Sequence, residues 1–149
     1  MIRKTVCALA LCFAASHAYA AKTCAYKIEG NDAMQYNLAQ ITVGSDCTDV
    51  EVTLTHSGKL PKQTMGHNWA LAKTAEFQAV ANAGLAAGLD KDYIPEGDKR
   101  VIAHTKVVGG GESASVKFPV SKLTKGGDYT FFCSFPGHYG AMKGKFIYQ

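Results

Sequence analysis

Residues 133–142 of the chain read CSFPGHYGAM, and this stretch decides how the rest of the sequence is interpreted. Cys133, His138 and Met142 place a thiol, an imidazole and a thioether within ten residues of one another. The proline and glycine between Cys133 and His138 are incompatible with a regular helix, so we expect a loop there. A loop of this length can fold back and direct the three side chains towards one point.

This combination of donor groups is typical of a mononuclear copper site. Soft sulfur ligands select copper, and a trigonal set of two histidines and one cysteine with a long axial methionine characterises blue-copper electron-transfer centres. Such a centre needs a second histidine, which the chain offers as His67 within MGHNW at residues 65–69. A single buried Cys or Met is more often an ordinary core residue, since both pack as adaptable hydrophobic side chains. The whole run together with His67 nevertheless favours copper.

The wider pattern of the chain predicts an all-β fold. Apolar and polar residues alternate along about eight short segments, which is typical of half-buried strands. The expected strands are residues 25–30, 40–43, 50–56, 68–73, 101–108, 116–120, 129–135 and 143–148. Helical spacing interrupts this pattern only at residues 74–89, with Thr74 as the expected cap. These features predict a two-sheet β-sandwich with one inserted helical flap.

Short motifs along the chain resemble those of the azurins, a family of small bacterial blue-copper proteins. They are GND at 30–32, LPK at 60–62, MGHNW at 65–69, GLDKDY at 88–93, RVIAHTK at 100–106, FFC at 131–133, FPGH at 135–138 and MKG at 142–144. The resemblance covers residues 22–149, and the Cys-x4-His-x3-Met spacing separates azurins from other cupredoxins. It implies a cupredoxin-like Greek-key β-sandwich. It also implies a periplasmic electron-transfer protein, not an enzyme, that carries one electron on a type 1 copper ion.

The expected copper ligands are His67, Cys133 and His138 in one plane, with Met142 at a long axial distance. The resemblance adds the backbone carbonyl of Gly66 on the opposite axial side. Copper must change oxidation state with little rearrangement, so we expect a rigid framework to hold these five groups. Hydrogen bonds to the cysteine sulfur tune the reduction potential of such a site.

The resemblance also assigns roles to residues around the ligands. The donors that match the hydrogen bonds to sulfur are the backbone amides of Asn68 and Phe135, and the Asn68 side chain is placed to join the two ligand loops. The His138 ring is expected to reach an apolar surface patch. The matching patch residues are Met34, Leu60, Pro61, Met65, Phe135, Pro136 and Ala141. Expected partners are redox proteins such as c-type cytochromes or a periplasmic reductase or oxidase, bound in the small, transient contacts of electron transfer.

The first twenty residues have the features of a secretory signal peptide. They open with two basic residues, residues 6–13 are apolar but too short to span a membrane permanently, and AYA at 18–20 fits a small-x-small cleavage site. We expect residues 1–20 to be removed. Residues 21–149 would then form one cupredoxin domain in the periplasm, as a monomer without a membrane anchor.

The cysteine count agrees with export. Residues 21–149 contain Cys24, Cys47 and Cys133, an odd number, and in an oxidising compartment two of them should pair. Because Cys133 lies in the ligand loop, Cys24 and Cys47 are the expected disulfide, at the positions that match the azurin disulfide.

Other classes of function fit the sequence less well. A copper enzyme needs a second metal site, but within residues 21–149 only His56 and His104 remain after the ligands are assigned. The alternation places His56 on a core-facing strand position. A copper carrier without a redox role would use Met- or His-rich tracts, which the sequence lacks. Zinc also suits one cysteine and two histidines. A net charge of +4 without basic clusters argues against nucleic-acid binding.

Overall fold

The computed structural model describes residues 21–149, so the expected signal peptide lies outside the described residues. The strands are β1 (Thr23–Gly30), β2 (Gln40–Val43), β3 (Asp49–His56), β4 (Ala70–Lys73), β5 (Ala103–His104), β6 (Ser113–Pro119), β7 (Tyr129–Phe132) and β8 (Lys143–Tyr148). The α-helices are α1 (Lys62–Met65) and α2 (Phe77–Ala87), with 3-10 turns at Leu89–Lys91 and Val120–Lys122. Within this part of the chain, none of the helices has both the length and the apolar character needed to cross a membrane.

The strands form two sheets, which confirms the predicted β-sandwich. One sheet has the order β1-β3-β6 and the other the order β2-β8-β7-β4-β5. The β1–β3 and β2–β8 pairs are parallel, and the remaining pairs are antiparallel. Neighbours in space that are distant in sequence are the hallmark of a Greek-key connection.

The core between the sheets is built from alternate residues of the strands. In β3, Val50, Val52 and Leu54 are completely buried, while the residues between them are half-buried, as the period of two predicts. Trp69 lies at the centre, with the rings of Phe118, Phe131 and Phe146 between 6.1 and 6.2 Å from its own. Truncating a buried aromatic residue of this kind to alanine typically costs about 3–5 kcal/mol. This aromatic cluster therefore forms a stiff support for the loops at the end of the sandwich.

Strand β7 corrects the prediction of a half-buried strand at residues 129–135, because both of its faces are buried. Phe131 faces the aromatic core, and Phe132 packs against Phe77 of α2 at 5.6 Å between ring centroids. The α2 flap thus covers the outer face of this sheet. The strand also ends at Phe132, and two other strands, β4 and β5, are shorter than the alternation predicted. In each case the chain leaves the sheet to form a loop.

Helix α2 begins at Phe77, so the prediction of Thr74 as its cap is wrong. The Thr74 hydroxyl instead donates to a carboxylate oxygen of Asp128 at 2.9 Å and lies 2.9 Å from the Thr130 hydroxyl. These bonds fix Thr74 to the start of β7. The helix ends just before Gly88, whose φ of 74° is in the region that glycine adopts without strain.

The pairing of β4 with β7 brings the two ligand segments together. The strands are antiparallel, with Ala70 opposite Phe132. The segment that precedes β4 therefore lies beside the segment that follows β7. Because His67 precedes β4 and Cys133 follows β7, the sheet itself places both residues at the same end of the sandwich.

The structure confirms the predicted disulfide. Cys24 and Cys47 are joined with a Cα–Cα distance of 5.8 Å, and Cys133 is the free cysteine of the described residues. The bond links the start of β1 to the segment before β3, at the end of β1 opposite to Gly30.

We expect the Cys24→Ala/Cys47→Ala variant of residues 21–149 to lose about 3 kcal/mol of unfolding free energy, because the open chain gains loop entropy in the unfolded state. Urea denaturation of the copper-free proteins, followed by circular dichroism, measures this loss. Reduced wild-type protein is the control and should lose a similar amount. Three reactive thiols in unfolded, non-reduced wild-type protein would contradict the pairing.

Candidate metal centre

Three donor atoms from distant parts of the chain meet where β4 begins and β7 ends. Ring nitrogens of His67 and His138 and the sulfur of Cys133 all lie within 4.8 Å of one another. The two Nδ1 atoms are 3.2 Å apart, and His138 Nδ1 is 3.7 Å from Cys133 Sγ. His67 and Cys133 are completely buried, and His138 is 3 % exposed. Two imidazoles and one thiol are thus directed at a single point away from water.

The ligand loop is closed by its own backbone hydrogen bonds. The Cys133 N–H donates to the Met142 carbonyl at 3.0 Å, and the Met142 N–H donates to the His138 carbonyl at 2.8 Å. At the turn of the loop, Gly137 has a φ of 82°, which favours glycine. Met142 is completely buried and belongs to the same apolar cluster as Cys133 and Phe135. The closed loop thus places Met142 in the same buried cluster as Cys133.

The orientation of His67 is set by a residue that sequence reasoning did not single out. His67 Nε2 lies 2.8 Å from the Asn31 carbonyl, so this nitrogen carries the proton and donates it. The Nδ1 lone pair is then free to face the other donors. At the neighbouring Gly30, a Cβ atom would lie 2.7 Å from the His67 ring and 3.2 Å from Met142 Cε, so only glycine leaves room. The GND motif at residues 30–32 marks this segment in the sequence, but it does not show that the Asn31 carbonyl contacts His67.

The Asn68 side chain joins the two ligand loops. Its Nδ2 donates to the Ser134 hydroxyl at 2.7 Å and to the Asp92 carbonyl at 2.8 Å, and its Oδ1 accepts from the Ser134 N–H at 2.8 Å. Asn68 and Ser134 are both buried. Leaving one such buried polar group without a partner costs about 1–3 kcal/mol, so these bonds strongly favour one arrangement of the loops.

The environment of the site keeps its donors neutral. Burial raises the pKa of Cys133 to about 12, although hydrogen bonds from the backbone amides of Asn68 and Phe135 act in the opposite direction. Burial also lowers the pKa of His138 to about 4, with His67 adding to the effect, and it lowers the pKa of His67 itself. At neutral pH both imidazoles are therefore unprotonated at the nitrogen that faces the site. The thiol, in contrast, keeps its proton.

His56 lies in the core, where the alternation placed it. It is completely buried, and its ring stacks on that of His67 with centroids 4.4 Å apart. Its Nδ1 accepts from the Gly58 N–H at 3.0 Å, and its Nε2 donates to the Met65 carbonyl at 2.8 Å. Both ring nitrogens are engaged with the backbone, so His56 supports the site from outside and does not join the donor cluster.

The residues of the expected patch differ in exposure. Met34 and Leu60 are each 39 % exposed, whereas Met65 is half-buried and Phe135 is 7 % exposed. Phe135 lies beneath the surface with its ring 4.6 Å from that of His138. The remaining patch residues, Pro61, Pro136 and Ala141, are exposed. Of the four side chains expected to bind copper, His138 is the one with measurable exposure.

Comparison with known proteins places this site in a copper-binding context. A family model described as "Copper binding proteins, plastocyanin/azurin family" matches residues 22–149. The chain is 53% identical over 144 residues to a protein of Bordetella pertussis named azurin, covering 97% of this chain and 96% of that protein. It is 55% identical over 144 residues to the azurin of Achromobacter denitrificans, with the same coverage. It is 56% identical over 121 residues to azurin-1 of Alcaligenes xylosoxydans xylosoxydans, covering 81% of this chain and 94% of that protein.

We expect copper uptake at pH 7 to release about one proton per ion, because the thiol must ionise while both imidazoles are already neutral. Adding Cu(II) to copper-free residues 21–149 in weak buffer, with pH recording, measures this number. The Cys133→Ser variant should release far less. Release of about three protons per ion would show that the imidazoles are protonated in the copper-free protein.

Proposed function

We propose a copper-ligand set for this chain from the premise that it belongs to the plastocyanin/azurin family of copper-binding proteins. The chain is a blue copper electron-transfer protein and not an enzyme. The proposed ligands are Nδ1 of His67 and His138 and the thiolate of Cys133. Met142 is the proposed weak axial ligand, and the Gly66 carbonyl is the proposed ligand on the opposite side. Copper bound there would accept one electron and return it.

One observation carries this ligand set, namely the mutual approach of the three buried donor atoms within 4.8 Å. A sulfur and two imidazoles match the preference of copper for soft and borderline ligands. The backbone at Gly66 leaves no room for a side chain. A Cβ at this position would lie 2.4 Å from the Lys62 carbonyl and 2.6 Å from Val107, so the backbone is closely packed there.

The surroundings of the donors support a role in rapid electron transfer. An ion that changes oxidation state needs ligands that stay in place, and the site supplies this through the hydrogen bonds of Asn68 and the closed ligand loop. A dry, hydrogen-bonded sulfur also favours reduced copper. The protein thus holds one geometry for both oxidation states.

As an electron carrier, the protein exchanges electrons with redox partners. We infer that these partners are c-type cytochromes or a periplasmic reductase or oxidase, docked over His138. The exposed Met34, Leu60 and Pro136 suit a brief apolar contact. The signal features at residues 1–20 favour export to the periplasm, where residues 21–149 would act as a monomeric, unanchored domain.

Zinc is the competing occupant of this donor set, since one thiolate and two imidazoles also suit it. The visible spectrum of copper-loaded protein tests the proposed copper-ligand set. We expect an intense blue band from charge transfer between the Cys133 sulfur and Cu(II), and its complete loss in Cys133→Ser. The conservative variant keeps the volume of the side chain. A Cys133→Ser protein that remained blue would contradict the assignment.

We expect Met142→Leu to keep the blue colour and to raise the reduction potential. The thioether donates weakly to the metal and stabilises the oxidised form more than the reduced form, so its removal favours Cu(I). Electrochemistry of the purified variant measures the shift. Loss of copper binding in this variant would instead make Met142 a primary ligand.

We expect Met65→Lys to slow electron self-exchange and the reaction with a redox partner, while the visible spectrum stays unchanged. A new charge on the proposed docking surface opposes close approach of two copies, and the ligands are untouched. The matched control is Ala25→Lys, which adds the same charge at an exposed position of β1 near the disulfide. Equal self-exchange rates for the two variants would show that electrons leave by another face.

A further inference from the structure

Tyr36 lies against the copper site, although the ligand motifs give it no role. It lies in the segment between β1 and β2, shortly after the GND motif, and forms an isolated antiparallel bridge with Gly30 at the end of β1. Its ring packs against the aromatic core, 5.8 Å from the ring of Phe131. It also contacts the apolar cluster that contains Cys133 and Met142. The residue therefore connects the centre of the sandwich with the ligand loop.

The Tyr36 hydroxyl donates a hydrogen bond to the backbone carbonyl of Asn68 at 2.5 Å. Within residues 21–149, Tyr36 is the donor that the structure gives to this carbonyl. With this bond, the carbonyl and the side chain of Asn68 all have partners, since the side chain bonds to Ser134 and Asp92. Its backbone amide is one of the groups that oppose the burial-driven rise in the pKa of Cys133. Tyr36 thus helps to hold Asn68, the residue that joins the ligand loops, in position.

The Tyr36 side chain packs against the cluster that contains Cys133, and this buried environment disfavours ionisation of its hydroxyl. Burial raises the pKa of Tyr36 well above its ordinary value, and Cys133 raises it further. The hydroxyl consequently stays protonated, so it is a permanent hydrogen-bond donor. In return, Tyr36 is one of the groups that oppose the burial-driven rise in the pKa of Cys133.

We propose that Tyr36 is a positioning residue that holds the Asn68 backbone against the Cys133 sulfur and thereby raises the reduction potential of the copper site. This inference rests on the ligand set proposed above. By fixing the Asn68 carbonyl, the hydroxyl keeps the backbone amide of the same residue facing the sulfur. A hydrogen bond from this amide reduces the donation of the thiolate to Cu(II) more than to Cu(I), so it favours the reduced form.

The test removes only the hydroxyl, as Tyr36→Phe, and compares it with a matched variant. Tyr26→Phe is the control, since the Tyr26 hydroxyl also donates to a backbone carbonyl, that of Thr42 at 2.8 Å, away from the ligands. Three measurements are made on residues 21–149. They are the reduction potential, the visible and electron paramagnetic resonance spectra of the Cu(II) form, and the amide NMR spectrum of the copper-free form.

We expect Tyr36→Phe to lower the relative affinity for Cu(I) by about two- to tenfold, a tenfold change being about 59 mV for one electron. The sulfur-to-copper band should shift, and the Asn68 amide resonance should move in the copper-free protein. Tyr26→Phe should leave all three unchanged, even if it lowers thermal stability. If Tyr36 had only a structural role, both variants would lose stability but keep the potential and the spectra of wild type. That result would overturn the proposal.

The experiment distinguishes failure of this inference from failure of the proposed ligand set on which it rests. A wild-type protein that is not blue would contradict the ligands themselves. A blue wild-type protein whose potential is the same in Tyr36→Phe contradicts only the role of Tyr36. A movement of the Asn68 amide resonance without any change in potential also rejects the tuning role, because it shows that the hydrogen bond is lost without effect on the sulfur.

Discussion

The hydrogen bonds between Asn68 and Ser134 are the constraint on which the metal centre depends. They join positions 66 residues apart in sequence, immediately after His67 and immediately after Cys133, two of the proposed ligands. Both partners are buried, so water does not replace a broken bond and the loops have one favourable arrangement. Tyr36 bonds to the Asn68 carbonyl and Asp92 to its side-chain amide, which extends the constraint to two further loops. The donors are held in place by residues outside the proposed ligand set.

The β-sandwich makes this constraint possible. Antiparallel pairing of β4 with β7 delivers both loops to the same edge, and the aromatic core around Trp69 resists movement beneath them. The α2 flap buries the outer face of β7 through Phe77 and Phe132, so the strand that leads to Cys133 is packed on both sides. Burial then acts on the chemistry as well, because a dry site keeps its imidazoles neutral and leaves a thiol that ionises when a metal arrives.

Sequence patterns predicted the regular parts of the fold and failed where tertiary contacts replace local preference. The alternation in β3 gave the buried face of that strand correctly, because one face of it is covered and the other is not. The same logic failed for β7, since the flap that covers its second face is distant in sequence. Thr74 has the chemistry of a helix cap, yet Asp128 and Thr130 compete for its hydroxyl. A local pattern contains no information about such a competitor.

For the site, the sequence by itself determined the donor types, their spacing within residues 133–142 and the cysteine left outside the disulfide. These are properties of residue chemistry and of short loops, which local sequence specifies. Only the tertiary structure decided which nitrogen of His67 faces the site, through the Asn31 carbonyl, and that Tyr36 closes the hydrogen bonding of Asn68. The physical reason is that both contacts are hydrogen bonds to backbone carbonyls. Every residue carries the same backbone carbonyl, so the sequence does not show which carbonyl will accept a given hydrogen bond. The packing of the whole chain decides this.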